Sequence, residues 1–148
     1  MTIYDDVKII GGVSLVPQSI SGSTAVNGTS VNTEGYTTAA IHAYGDAATG
    51  TPTGATLAVK VQESSDNSTW SDALDNTGTA IGFSLTVTSA AAENVARIEG
   101  LNLNRKTYLR AVITPTFTGG TSPASIAYAS IIMGGALQLP VDANVSNT

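Results

Sequence analysis

In the segment Thr56-Leu-Ala-Val-Lys-Val-Gln62, Leu57, Val59 and Val61 alternate strictly with Ala58, Lys60 and Gln62. A period of two puts the large apolar side chains on one side of an extended chain and leaves the other side wet, whereas a helical period of 3.6 would scatter them around an axis. The segment is therefore a half-buried strand. A second segment, Lys106-Thr-Tyr-Leu-Arg-Ala-Val-Ile-Thr-Pro115, repeats the pattern, with Leu109, Ala111 and Ile113 opposing Tyr108, Arg110 and Val112. Two such strands need a sheet to complete and a second layer to cover their apolar side.

The rest of the chain supplies both. Tyr36 to Tyr44 reads as a strand containing His42, followed by a Gly-, Thr- and Pro-rich loop from Gly45 to Gly54. Ser65-Asp-Asn-Ser68 is a turn by composition, and Thr69 to Leu74 reads as a short return strand that sets Trp70 beside the core. Phe83, Leu85 and Val87 alternate inward along the next strand, Asn94 to Leu101 forms a weaker one, and Ala90 to Asn94 reads as one helical turn or a loop. Ala124 to Met133 is apolar on both sides, the pattern of a strand buried on both faces or covered on one face by a neighbouring subunit.

Short strands punctuated by Gly, Asn and Pro turns, with no helix long enough for a parallel crossover, predict an all-β antiparallel β-sandwich of jelly-roll type. The length of 148 residues suits one domain, since a chain near that size buries about 68–70% of its unfolded surface. We expect this body to span residues 34–140, with a polar tail over 141–148 and a distinct segment over 1–33. That first segment is broken into short apolar pieces by Gly11-Gly12, Ser21-Gly22-Ser23-Thr24 and Asn27-Gly28-Thr29-Ser30. It reads as an extended arm with one or two short strands, or alternatively Val7 to Ile10 and Val13 to Val16 are ordinary edge strands of the domain.

Charge and chemistry narrow the function. Eleven acids against six bases give a net charge of −5, the wrong sign for neutralising phosphates, so no nucleic-acid partner is expected. There is no cysteine. The N-terminus lacks the basic and apolar regions of a secretory signal, and no apolar run approaches the ~18 residues that span a bilayer, so no membrane partner is expected. His42 is the single histidine. Without a nucleophile motif beside it, it reads as a strand residue rather than a catalytic base, and no catalytic residue, metal or cofactor is expected. Glu63, Asp66, Asp72 and Asp75 surround the turn that carries Trp70 but lack calcium-loop spacing. Trp70 fills the core or, alternatively, offers a platform for a sugar ring.

The phrases Val59-Lys-Val-Gln-Glu-Ser-Ser-Asp-Asn-Ser-Thr-Trp70, Tyr108-Leu-Arg-Ala-Val-Ile-Thr114 and Ile131-Ile-Met-Gly-Gly-Ala-Leu-Gln-Leu-Pro140 resemble small structural proteins of tailed bacteriophages, in particular head decoration, or cement, proteins. That resemblance implies a β-sandwich or β-tulip body, often trimeric, on the outer surface of the capsid head, made in the host cytoplasm and partnered by the major capsid protein. It also implies an N-terminal arm that clamps the lattice. The candidate contact residues are then Ile3, Tyr4, Val7, Ile9, Ile10, Val13, Leu15 and Val16, with Ile126, Tyr128, Ile131, Ile132 and Met133 as the subunit interface. The alternative is a carbohydrate- or receptor-binding module of a tail or fibre, using Trp70. An enzyme is the third class.

Overall fold

The computed structural model describes Lys8, Ile9 and residues 14–88 and 94–137. Among these residues the chain forms β1 (Lys8–Ile9), β2 (Leu15–Ser21), β3 (Val26–Asn27), β4 (Val31–Asn32), β5 (Tyr36–Gly45), β6 (Gly54–Ser64), β7 (Ser71–Asp72), β8 (Gly82–Thr86), β9 (Asn94–Asn102), β10 (Tyr108–Thr118) and β11 (Ala124–Ala136). The stretch that sequence reading left between a helical turn and a loop, 90–94, lies outside the described residues except for Asn94, which begins β9.

Every pairing is antiparallel. In the first sheet β11 pairs with β5, β5 with β9, and both β1 and β2 lie along the other side of β11. In the second sheet β10 pairs with β6, β3 and β4 share the outer side of β10, and β7 and β8 share the outer side of β6. The chain thus passes from the edge β2 to the opposite edge β3–β4, across to β5, back to β6 and β8, and then through β9, β10 and β11 in alternate sheets. This is the winding of a jelly roll, as the turn spacing predicts.

The inner faces follow the alternation seen in the sequence. Ala55, Leu57, Val59 and Val61 of β6 face Leu109, Ala111 and Ile113 of β10 in register, with Val61 opposite Ala111 and Val59 opposite Ile113. Ala39, Ile41 and Ala43 of β5 and Ala127, Ala129, Ile131 and Met133 of β11 form the facing layer. The core divides along the strands into one half around Leu57, Ile113, Leu85 and Val87 and another around Ile41, Leu109, Ile131 and Met133. Many of the inner residues are alanines, and Gly45 sits where a Cβ would come within 2.6 Å of Leu57 Cδ1 and 2.8 Å of Val87 Cγ1. Close-packed layers of this kind leave no slack for a larger side chain.

The segment read as an arm belongs in large part to the sandwich. Leu15 and Ile20 are buried in the first half of the core and Val31 in the second, so 14–32 supplies an edge strand to each sheet. Between β3 and β4 the ladder along β10 is interrupted, and Ser14 fills the gap. Its buried hydroxyl accepts the Ala111 N–H at 3.0 Å and donates to the Thr29 carbonyl at 3.0 Å, while the Ser14 carbonyl accepts the Thr29 N–H. Of the alternative edge strands at Val7 to Ile10 and Val13 to Val16, the described residues Lys8–Ile9 and Leu15–Val16 lie in strands paired with β11. Of the candidate contact residues, Ile3, Tyr4, Val7, Ile10 and Val13 lie outside the described residues, and Ile9 pairs with Ile132.

Candidate functional site

A jelly roll of this kind offers two broad outer faces, and the two differ sharply in chemistry. On the first sheet, β11 points Ile126, Tyr128, Ser130 and Ile132 outward because the residues between them, Ala127, Ala129, Ile131 and Met133, point in. Cross-strand pairing sets Tyr128 opposite Tyr44, Ser130 opposite His42 and Ile132 opposite Ala40. The rings of Tyr44 and Tyr128 stack with centroids 5.6 Å apart, and His42 lies 6.2 Å from Tyr128, with its Nδ1 3.5 Å from the tyrosine oxygen. Arg97, opposite His42 on β9, pairs with Glu99 at 2.9 Å in solvent. Ile126 is 50% exposed and Val16, on the neighbouring β2, 56%. The face thus carries Ile126, Tyr128, Tyr44 and Ile132, with Ser130 and His42 between the tyrosine pair and Ile132.

The second face is polar and ordered by a chain of side-chain hydrogen bonds. The register aligns Asp72, Gln62 and Arg110 in one row across β7, β6 and β10. Arg110 donates from Nε (3.0 Å) and Nη2 (2.7 Å) to Gln62 Oε1, and Gln62 Nε2 donates to Asp72 Oδ1 at 2.9 Å. Lys60 Nζ reaches both Asp72 oxygens, at 2.9 and 3.0 Å. The Gln62 amide and the Lys60 ammonium hold the Asp72 carboxyl below the usual carboxylate range. Beside this row the Arg110 guanidinium carbon stands 4.3 Å from the centroid of the Trp70 ring, within the range of a cation–π contact.

Trp70 is thus not a core plug. It is half-buried on the outer face and belongs to neither half of the core. The reason is parity. Ser71 pairs with Glu63 and Asp72 with Gln62, so Asp72 shares the outward side of Gln62, Trp70 shares it with Asp72, and Ala73 takes the fully buried inward position. Reading Trp70 inward is a one-residue slip, which in a strand exchanges the two faces.

The acidic turns are closed by their own backbone. Asp66 Oδ1 accepts from the N–H groups of Thr69 (2.7 Å) and Ser68 (2.9 Å) and from Ser64 Oγ (2.8 Å), and these bonds hold its carboxyl far below its ordinary value. The Thr77 hydroxyl and the Thr79 and Thr77 N–H groups do the same for Asp75, lowering its pKa. Glu63 instead turns to Arg105, with Oε2 3.0 Å from Nη1. Among the described residues no three His, Asp or Glu side chains converge as metal ligands, and no helix is long and apolar enough to cross a membrane.

The five residues expected at a subunit interface separate by the same parity. Ile126, Tyr128 and Ile132 lie on the outer face, but Ile131 and Met133 are each 1% exposed and belong to the core, out of reach of any partner. Leu15 is likewise a core residue, whereas Val16 is presented to solvent. The residues that sequence reading missed are Ser14, Gln62 and Arg110. Only the alternation of β6 and β10, which turns Gln62 and Arg110 to one side, carried a signal for the last two.

No protein-family model matches the chain, and no curated protein matches it in sequence. Solved structures do match in shape. The PBSX exported protein XepA aligns with all of this chain and 43% of its own at 14% identity, with a TM-score of 0.49. A structure of the Gx strain of infectious bursal disease virus aligns with 88% of this chain and 32% of its own, at 14% identity and a TM-score of 0.52. A family 16 carbohydrate-binding module aligns with 78% of this chain and 74% of its own, at 12% identity and a TM-score of 0.42. The chain spans less than half the length of the first two. At such identities the likeness concerns the fold alone, and the bursal disease virus structure agrees with the antiparallel jelly-roll β-sandwich seen here.

Proposed function

We propose that the chain is a non-enzymatic structural protein of a tailed-phage virion, a head decoration protein that binds the outside of the assembled capsid and bridges neighbouring capsid proteins. Its partners are the major capsid protein and further copies of itself, associated as a trimer. One observation carries the reading: a rigid jelly roll that keeps its polar groups paired presents Ile126, Tyr128, Tyr44 and Ile132 outward on one sheet. Apolar and aromatic side chains gathered outward on one face mark a place where a protein meets a partner. The viral fold likeness agrees with the body plan, and the phage resemblance of the Val59–Trp70 and Tyr108–Thr114 phrases supplies the setting.

The test is co-sedimentation of the purified protein with capsids of the encoding phage that lack it, followed by electron microscopy of the decorated heads. Binding at a fixed number of copies per capsomer, with a raised capsid disruption temperature, is expected. The double variant Ile126→Asp, Ile132→Asp should remain folded and lose self-association. Removal of residues 1–7 should weaken capsid binding. A longer truncation to residue 20 is uninformative, because it deletes β2 and the core residues Leu15 and Ile20. Failure of the full chain to co-sediment would refute the proposal.

A further inference from the structure

Arg110 is half-buried on a strand at the middle of the second sheet, and among the described residues no carboxylate lies within ion-pair distance of it. Its charge is met by the neutral Gln62 carbonyl and the face of Trp70 alone. The other cations on and beside this face behave differently: Lys60 pairs with Asp72, and Arg105 with Glu63. In a chain of net charge −5, an arginine left without an acid is the exception among the described residues. A guanidinium has five N–H donors in a planar fork, and Gln62 engages those of Nε and Nη2, which leaves donors to spare. Desolvation by its surroundings lowers the Arg110 pKa, the sign expected of a positive charge that lacks a countercharge.

The groups around it are those that recognise a sugar. Trp70 is half-buried on this face, with the Arg110 guanidinium 4.3 Å from its ring centroid. Asp72, Gln62 and Lys60 stand in fixed positions, each held by a neighbour, with spare lone pairs or N–H groups that match adjacent hydroxyls. All of them except Trp70 sit on paired strands, so their geometry exists before any ligand arrives and binding does not have to order them. From this we infer that the outer face of the second sheet is a binding site for a carboxylate-bearing saccharide. The spare N–H groups of Arg110 take the carboxylate, Trp70 packs against the sugar ring, and Asp72 and Lys60 bind ring hydroxyls. The site lies on the sheet opposite to the apolar face assigned to protein contacts, so it stands or falls independently of capsid binding.

The probes are oligogalacturonate and sialyllactose, with a neutral galacto-oligosaccharide, lactose, acetate and inorganic phosphate as counterparts. Each is titrated into the full chain by calorimetry and followed through the fluorescence of Trp70, the only tryptophan. At least one acidic saccharide should bind saturably, at least tenfold more tightly than its neutral counterpart, and Arg110→Gln and Trp70→Phe should each weaken it tenfold or more at unchanged melting temperature. Should Arg110→Gln unfold, Arg110→Lys provides the second variant and should lose at least fivefold, because an ammonium cannot replace the planar fork. Equal affinity for the neutral sugar, equal affinity for acetate or phosphate, variants that bind as the parent does, or no saturable binding of either acidic probe would each overturn the assignment.

Discussion

Replacing Ser14 by alanine removes one oxygen and tests how the two sheets are joined. The hydroxyl fills the gap between β3 and β4 along β10, and its loss leaves the N–H of Ala111, a fully buried residue, without an acceptor. An unsatisfied buried donor costs about 1–3 kcal/mol. The Thr29 carbonyl that Ser14 also serves belongs to an exposed residue, so water can replace that bond and the penalty there is small. Alanine fills nearly the same volume, which rules out a cavity of consequence. The sum is about 2 kcal/mol, and at about 2–4 °C per kcal/mol for a chain of this size the midpoint should fall by ~4–8 °C. The assay is thermal and urea unfolding at one fixed protein concentration, since self-association would otherwise shift the midpoint. Ser65→Ala, on an exposed turn, serves as control and should change stability by less than ~0.5 kcal/mol. A Ser14→Ala midpoint within about 1 °C of the parent would refute the claim that this hydroxyl completes the β10 ladder.

Three further outcomes follow from the packing and the turns. Gly45→Val forces atoms into the space held by Leu57 and Val87 and should destabilise by about 1–3 kcal/mol in urea unfolding. Along β11, Ile131→Ala should cost about 2–5 kcal/mol while Ile126→Ala should cost less than ~0.5 kcal/mol in the monomer; equal costs would mean that the faces have been exchanged. The depressed pKa values of Asp66, Asp72 and Asp75 mean that the unfolded state binds protons more readily than the native one. Their contribution is complete above the ordinary carboxylate pKa near 4 and is lost as pH falls through the lower folded values. Unfolding free energy measured from pH 6 down to pH 2 should therefore decline chiefly below pH ~4, and Asp66→Asn should flatten that decline.

The fold class is legible in the chain because a period of two survives in long strands. Leu57, Val59 and Val61, and Leu109, Ala111 and Ile113, each name an inward face without help from any other residue. The same rule extended to β11 would have separated Ile126 from Ile131, had the apolar residues on both its sides not hidden the period. Short strands carry no such signal. Two paired residues, Ser71 and Asp72, decide which way Trp70 points, and their register with Glu63 and Gln62 exists only once the turn at Asp66 has closed.

By itself the sequence determined an antiparallel all-β body, its principal strands and the inward sides of the regular ones, because alternation and turn chemistry are local. Tertiary structure alone decided what residues 14–32 do, which face bears Trp70, and that Arg110 stands without an acid among the described residues. Each of these depends on a partner far along the chain: Ser14 on Ala111, Asp72 on Gln62, Arg110 on both Gln62 and Trp70. Such contacts are set by sheet register and by the path of the chain between sheets, which local periodicity does not encode.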